Sequence, residues 1–141
     1  MVASGGPEAT AAVLRRAAAD EPLWLPVHGA SMTPSLADGA RVRVEPRPAP
    51  PRAGSMWAFC NAAGRVVVHR CVAPGADASS FRGDSHLRRD PPVPHARLVG
   101  EVVAVDRGGR VEPAADRAPV AVARLGRAVI RHARRWAQST S

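Results

Sequence analysis

Four side chains in the middle of the chain are of types that can take part in nucleophilic catalysis. Ser31 lies in the segment GASMTP, His69 ends the apolar run VVVH, and Asp84 and Asp90 lie in the polar stretch GDSHLRRD. A serine hydroxyl is a weak nucleophile unless a neighbouring base takes its proton as it attacks. A neutral imidazole can take that proton, and a carboxylate on the other ring nitrogen fixes its tautomer. These residue types therefore indicate nucleophilic catalysis, if the fold brings them together.

Each of the four residues also has a purely structural interpretation. Ser31 has the residue type of a helix N-cap, with Pro34 just inside the following turn. A lone histidine at the end of an apolar strand is more often a core residue than a catalyst. The two aspartates could be turn residues or partners of arginine. Taken singly, the structural interpretation is the stronger one for every residue.

The composition excludes several mechanisms. All 20 basic residues are arginine, so the net charge of +8 includes no lysine. A lysine base or a lysine Schiff base is therefore excluded. Two cysteines are too few for a disulfide scaffold. The five histidines show no ligand spacing with the cysteines or with each other, so we expect no metal site and no cofactor.

Short apolar runs separated by turn residues predict a mainly β domain. The chain has 18 valines and 7 leucines, and β-branched residues favour strands. Three consecutive valines at 66–68 predict a strand that is buried on both faces. An alanine-rich helix is predicted at residues 8–19, and a hairpin turn at 61–64. Strands are predicted at residues 23–28, 41–45, 56–60, 66–72 and 99–105.

The two cysteines fall in the two strands of the predicted hairpin. If Cys60 pairs with Arg65, then Cys60 and Cys71 are offset by about six residues, or roughly 20 Å at ~3.3 Å per residue. A disulfide needs Cα atoms within about 7 Å. We therefore interpret both cysteines as reduced core thiols rather than as a redox pair.

The arginine-rich C-terminus has a separate pattern. Between Val120 and Trp136, arginines gather on one face of a predicted helix and apolar residues on the other. Two interpretations stay open: the helix docks on the domain, or it makes a peripheral contact with an anionic membrane surface. Nucleic acid is not an expected partner, because the chain lacks tyrosine and any interleaving of arginine with aromatic residues. The predicted organisation is a helical segment at 1–22, a β domain at 23–112 and a basic tail at 113–141.

In chain order, four segments resemble the superfamily of type I signal peptidases and LexA-like serine peptidases. They are G-x-S-M-x-P at 29–34, an apolar strand ending in His-Arg at 69–70, Gly-Asp at 83–84 followed by a second aspartate, and L-V-G-x-V at 98–102. The resemblance runs from about Leu25 to Val105. It implies a fold of coiled β-sheets and an endopeptidase activity that uses a serine nucleophile.

Within this superfamily the chain is similar to the archaeal and endoplasmic-reticulum type of signal peptidase, which has histidine where other members have lysine. The resemblance implies that Ser31 is the nucleophile and His69 the base. Asp90 matches the carboxylate that orients the base, and Asp84 matches a carboxylate that supports the site.

The motif around the serine also implies an oxyanion and substrate-binding region made by Ser31, Met32 and Pro34. The backbone N–H of Ser31 is the expected first donor to the oxyanion. Gly29 stands where signal peptidases often have a serine whose hydroxyl helps to bind the oxyanion. Backbone donors are therefore expected to act alone here.

The expected function is cleavage of a leader, a propeptide or a protein substrate by a serine endopeptidase. No stretch approaches the ~18 apolar residues of a membrane-spanning helix, and the N-terminus lacks an export signal. We therefore expect a soluble, cytoplasmic enzyme without a membrane anchor, with the C-terminal helix able to bring it to the inner membrane face. Two alternatives are a catalytically silent peptide-binding module on the same fold and a membrane-surface adaptor that acts through the C-terminal helix.

Overall fold

The computed structural model describes residues 5–116, which form one helix and eight short strands. The helix predicted between Val120 and Trp136, with its membrane contact, lies outside the described residues. Helix α1 spans Gly6–Asp20. The strands are β1 (Leu23–Pro26), β2 (Arg41–Glu45), β3 (Met56–Cys60), β4 (Val66–Ala73), β5 (Ala78–Arg82), β6 (Val93–Pro94), β7 (Leu98–Arg107) and β8 (Arg110–Pro113), with a 3-10 turn at His95–Arg97 before β7.

The strands form a curled antiparallel sheet with the order β1-β2-β7-β3-β4-β5-β6. The long strand β7 is central, because it pairs with β2, β3 and β8 along different parts of its length. The mainly β prediction is confirmed at this level. Curling brings the outer edges of β1 and β4 to either side of one groove.

The core consists of two clusters on opposite faces of the sheet. The first contains valines of β2 and β7 together with Ala11 of α1, and the second is aromatic, with Trp57, Phe59 and Phe81. Side chains of a strand alternate between faces, so β3 contributes Met56, Ala58 and Cys60 to the first cluster and its two aromatic residues to the second. Every residue of β3 is consequently buried.

The helix and most of the predicted strands are where the sequence places them. Strands β2 and β3 have the predicted bounds, and β4 and β7 are slightly longer than predicted. The turn at 61–64 joins β3 to β4 through a hydrogen bond from the amide of Asn61 to the carbonyl of Arg65. The assumed register was wrong by one residue, because Cys60 pairs with Val66 and not with Arg65. No helix among residues 5–116 has the length and apolar character needed to cross a membrane.

Both cysteines are buried, free thiols, as the sequence predicts. Burial raises the pKa of the Cys60 thiol above its ordinary value. Burial also raises the pKa of the Cys71 thiol, to about 11. Because the thiolate is the reactive form, neither side chain is a nucleophile near neutral pH.

The valines at 66–68 are not buried on both faces, and that prediction was wrong. Val66 is 41% exposed, and its two neighbours are only half-buried. A side chain in a sheet is covered partly by the side chains of the two neighbouring strands. At positions 66–69, β4 has a neighbour on one edge only, because β3 pairs with it from Val66 to Arg70. On the outer edge, β5 pairs with β4 only from Arg70 onward. Within the described residues, positions 66–69 therefore present an open strand edge.

Candidate active site

A tight loop between β1 and β2 positions Ser31. The backbone of Val27 bonds to both Gly39 and Ala40, which closes the loop at its base. Gly29 has a φ of +82°, a conformation that side chains disfavour, and its amide donates to Asp38 Oδ1 at 2.7 Å. The peptide chain thus reverses direction just before Ser31.

The residues after Ser31 anchor this loop to the core. Met32 and Leu36 are fully buried in the first cluster, and the amide of Leu36 donates to the carbonyl of Met32 at 2.8 Å. Ser31 itself is half-buried at the start of this turn. The loop therefore holds the hydroxyl of Ser31 at the surface, while the buried side chains that follow it keep the backbone in place.

The structure brings together the three residues predicted as a catalytic triad. His69 Nε2 lies 3.1 Å from Ser31 Oγ, and His69 Nδ1 lies 2.5 Å from Asp90 Oδ2. Asp90 is held by its own backbone, since its amide donates to the carbonyl of Phe81 at 2.8 Å. Only 8% of the His69 side chain is exposed, against 23% of that of Asp90.

This hydrogen-bond chain defines the tautomer that catalysis needs. An ionised carboxylate only accepts hydrogen bonds, so Nδ1 carries the proton donated to Asp90. Nε2 is then the acceptor, and its lone pair faces the hydroxyl of Ser31. This is the arrangement in which an imidazole removes a proton from a serine.

Asp84 belongs to a second network beside the first. Arg70 donates to both carboxylate oxygens of Asp84, at 2.9 and 2.8 Å, and the hydroxyl of Ser35 donates to Asp84 Oδ2 at 2.6 Å. The two charged side chains are only 5% and 6% exposed. Arg70 also donates to the carbonyls of Gly54 and Ala115. Asp84 thereby ties the serine turn to β4.

The loop that carries both aspartates also fixes the backbone of Ser31. The amide of Ser85 donates to the Ser31 carbonyl at 3.0 Å. A Cβ atom on Gly83 would lie 2.6 Å from the same carbonyl oxygen. Only glycine fits at this approach, which gives a physical reason for the Gly-Asp pair in the sequence.

The three residues of the predicted oxyanion and substrate-binding region differ in what they expose. Within residues 5–116, no hydrogen-bond acceptor pairs with the amides of Ser31 and Met32. Backbone N–H groups of this kind can donate to a developing oxyanion. The side chain of Met32 is 1% exposed and belongs to the core, whereas Pro34 is exposed on the turn.

An open groove begins at Ser31 and runs along the free edge of β4. We call it the Ser31 groove; its volume is about 680 Å³, and its lining includes Leu25, Val27, His28, Ser31, Val66 and Val68. The walls are β1 on one side and β4 on the other, and most of the lining is aliphatic. The groove can therefore accommodate an extended polypeptide beside Ser31.

One neighbour of the triad was missed by the sequence analysis. The ring of His86 meets the ring of His69 edge-on, with 5.5 Å between the centroids. His86 lies in the same loop as both aspartates, but nothing in its sequence context indicates this contact. Among the described residues, no three His, Cys, Asp or Glu side chains are grouped so as to hold a metal ion.

No family model and no curated protein matches the sequence. The residues of the site and their geometry are therefore what indicates a function.

Proposed function

We propose that the protein is a serine endopeptidase related to the signal peptidases and LexA-like peptidases. The observation that carries the proposal is the continuous hydrogen-bond chain from Ser31 through His69 to Asp90 at the mouth of an open groove. A buried serine–histidine contact could be structural, but this one ends at an accessible hydroxyl. The carboxylate on the far side of the ring supplies the third element of the mechanism.

In the proposed reaction, Ser31 Oγ attacks the carbonyl carbon of a peptide bond while His69 Nε2 takes the hydroxyl proton. The positive charge on the imidazolium is stabilised by Asp90, and the backbone amide of Ser31 donates to the oxyanion. His69 then gives its proton to the leaving amine, which leaves an ester between the substrate and Ser31. Water, activated by the same imidazole, hydrolyses the ester and restores the free serine.

The substrate of this reaction is an extended segment, such as a leader, a propeptide or an accessible loop of a protein. The outer edge of β4 at positions 66–69 has free backbone groups on the side of the groove. A peptide can pair with such an edge as an added strand, which supplies binding energy without a requirement for sequence. The edge ends at His69, so a peptide bound there passes the nucleophile.

A digest of a complex peptide mixture tests the proposal. The purified protein should produce new peptide termini, detected by mass spectrometry, and Ser31→Ala should produce none above the buffer background. Ser80→Ala is a matched control, because Ser80 lies on β5 outside the site and its loss should leave the digest unchanged. An identical set of new termini from the wild type and Ser31→Ala would contradict the proposal.

The same open edge also supports a second candidate, a module that binds peptides without cleaving them. The digest separates the two functions. Peptides that stay bound to the wild-type protein through gel filtration, with no new termini, would support binding alone.

A further inference from the structure

A second recess lies on the other side of the open edge of β4. We call it the Val67 pocket; it has a volume of about 320 Å³, and its walls include Phe59, Val67, Pro91, Pro92, Val93 and Arg97. It shares Asn61, Val67 and His69 with the Ser31 groove, and of the two recesses only the Val67 pocket reaches Asp90. The proposed reaction gives this pocket no role.

The walls of the two recesses come from different core clusters. Phe59 and Val93 of the Val67 pocket belong to the second cluster, whereas Val27 of the Ser31 groove belongs to the first. Val68 packs against the first core cluster, and Val67 packs against the second. This is the normal alternation of side chains along a strand. The exposed Val66 therefore shares a face with Val68, and His69 shares a face with Val67.

A peptide that pairs with the edge of β4 must show the same alternation. If the residue attacked by Ser31 directs its side chain into the Ser31 groove, its neighbour along β4 directs its side chain to the opposite face. That face is where the Val67 pocket lies. Both recesses include His69 and, at the hairpin, Asn61. They therefore lie beside the same stretch of a peptide bound along β4.

The chemistry of the Val67 pocket favours a bulky apolar side chain. Aromatic, valine and proline carbons form most of its surface. The two charged residues of its wall already face partners, since Arg97 lies 3.8 Å from Glu8 and Asp90 lies 2.5 Å from His69, so neither is left over to compensate a charged side chain of the substrate. Moving a charged side chain out of water into this recess is therefore unfavourable.

We propose that the Val67 pocket is a second specificity subsite, which selects a bulky apolar residue at the position next to the residue held in the Ser31 groove. The proposal rests on the proposed peptidase function and adds to it a rule for the substrate. The protein then recognises two adjacent residues of the substrate through two separate recesses, one on each face of β4.

Two neighbouring substitutions test the rule on the same strand. Val67→Trp enlarges the side chain on the face of the Val67 pocket, and Val68→Trp enlarges the side chain on the face of the Ser31 groove. Both replace a half-buried valine in β4, so each is the control of the other, and Pro92 lines the Val67 pocket alone. The wild type and both variants digest the same peptide mixture, and cleavage-site preferences are compared position by position. The melting temperature of each variant is measured so that loss of folding is recognised, and Pro92→Trp fills the pocket from the exposed loop if Val67→Trp does not fold.

Val67→Trp or Pro92→Trp should change the preference at one position from bulky apolar to glycine or alanine, by about ten-fold or more in relative cleavage. Val68→Trp should instead change the preference at the adjacent position. Cleavage that depends on Ser31 but shows no preference at the second position would overturn the subsite and leave the peptidase intact. The subsite would also be overturned if Val67→Trp and Val68→Trp changed the preference at the same position of the substrate. Absence of any Ser31-dependent cleavage would overturn the proposed function itself.

Discussion

Two networks, each made of a serine, a basic residue and an aspartate, connect the same three segments of this protein. Ser31, His69 and Asp90 form one, and Ser35, Arg70 and Asp84 form the other. Each takes its serine from the turn after β1, its basic residue from β4 and its carboxylate from the loop after β5. The two basic residues are adjacent in the sequence, so they point to opposite faces of the strand.

The difference between the networks lies in the basic residue and its exposure. A neutral imidazole has a nitrogen that accepts a proton, whereas a guanidinium stays charged and only donates. The first network opens onto a groove, while the Arg70–Asp84 pair is almost completely buried. One arrangement can transfer a proton to and from a substrate, and the other can only hold the three segments together. The comparison therefore predicts that substitution of His69 lowers activity, whereas substitution of its neighbour Arg70 lowers the free energy of unfolding.

The largest expected effect on activity comes from His69. We expect His69→Ala to lower kcat by about 10⁵-fold or more, as loss of a triad base does in serine peptidases. The rate of Ser31-dependent cleavage measures this. Retention of more than about a tenth of the wild-type kcat would show that another group acts as the base.

Asp90→Asn should have the next largest effect on activity. The amide NH2 of asparagine can donate to an unprotonated Nδ1 of His69, which a carboxylate cannot do, so the other tautomer becomes favourable and kcat falls by about 10³- to 10⁴-fold. Asp77→Asn, on the exposed turn before β5, is the matched control and should leave kcat unchanged. An equal response of the two variants would exclude Asp90 from the triad.

The second network should respond in stability. Removing one partner of a buried ion pair leaves the other charge uncompensated, so Arg70→Met should lower the free energy of unfolding by about 3–5 kcal/mol. Denaturant titration measures this value. The double variant with Arg70→Met and Asp84→Leu removes both charges and should recover part of the loss. A decrease below about 1 kcal/mol in the single variant would place the pair among ordinary surface salt bridges.

The smallest predicted effect concerns Cys71 at high pH. The unfolded thiol ionises near its ordinary pKa of 9.0, whereas burial holds the folded thiol neutral up to about pH 11. Ionisation therefore favours the unfolded state, and the free energy of unfolding falls as pH rises through this window. Cys71→Ala should weaken that dependence between pH 9 and 11 when both proteins are unfolded by denaturant at a series of pH values. Equal slopes for the two proteins would contradict the buried, neutral thiol.

Local pattern predicted the strands that carry enough apolar residues. Strands β2 and β3 are bounded by turns and have clear apolar content, so their ends were predicted correctly. Strands β5, β6 and β8 were missed, because ASSFR, VP and RVEP contain few core-forming residues. Their strand conformation depends on pairing with distant neighbours, which a single sequence does not show.

The burial of the valines at 66–68 shows the same limit. A continuous apolar run is typical of a strand that is covered on both faces. Coverage depends on where β5 begins to pair with β4, and that is a property of the whole sheet. The apolar side chains left open by this geometry line the groove in which the substrate is proposed to bind.

Among the site residues, the motifs predicted Ser31, His69, Asp90 and Asp84 but not the partners of Asp84. Ser31, His69 and Asp90 were named from the order of their segments, and the structure brings them within hydrogen-bond distance. Arg70 and Ser35 lie next to predicted site residues, yet their bonds to Asp84 depend on the spatial approach of three segments. The sequence has no local signal for such a contact.

Covalent labelling tests whether Ser31, and not another serine, is the nucleophile. A fluorophosphonate probe transfers a phosphonyl group to activated serines, and the modified residue is located by fragmenting the tryptic peptide between Arg16 and Arg41, which contains both Ser31 and Ser35. The comparison of the two networks predicts an adduct on Ser31 alone, which disappears in His69→Ala. No adduct, or an adduct on Ser35, would contradict it.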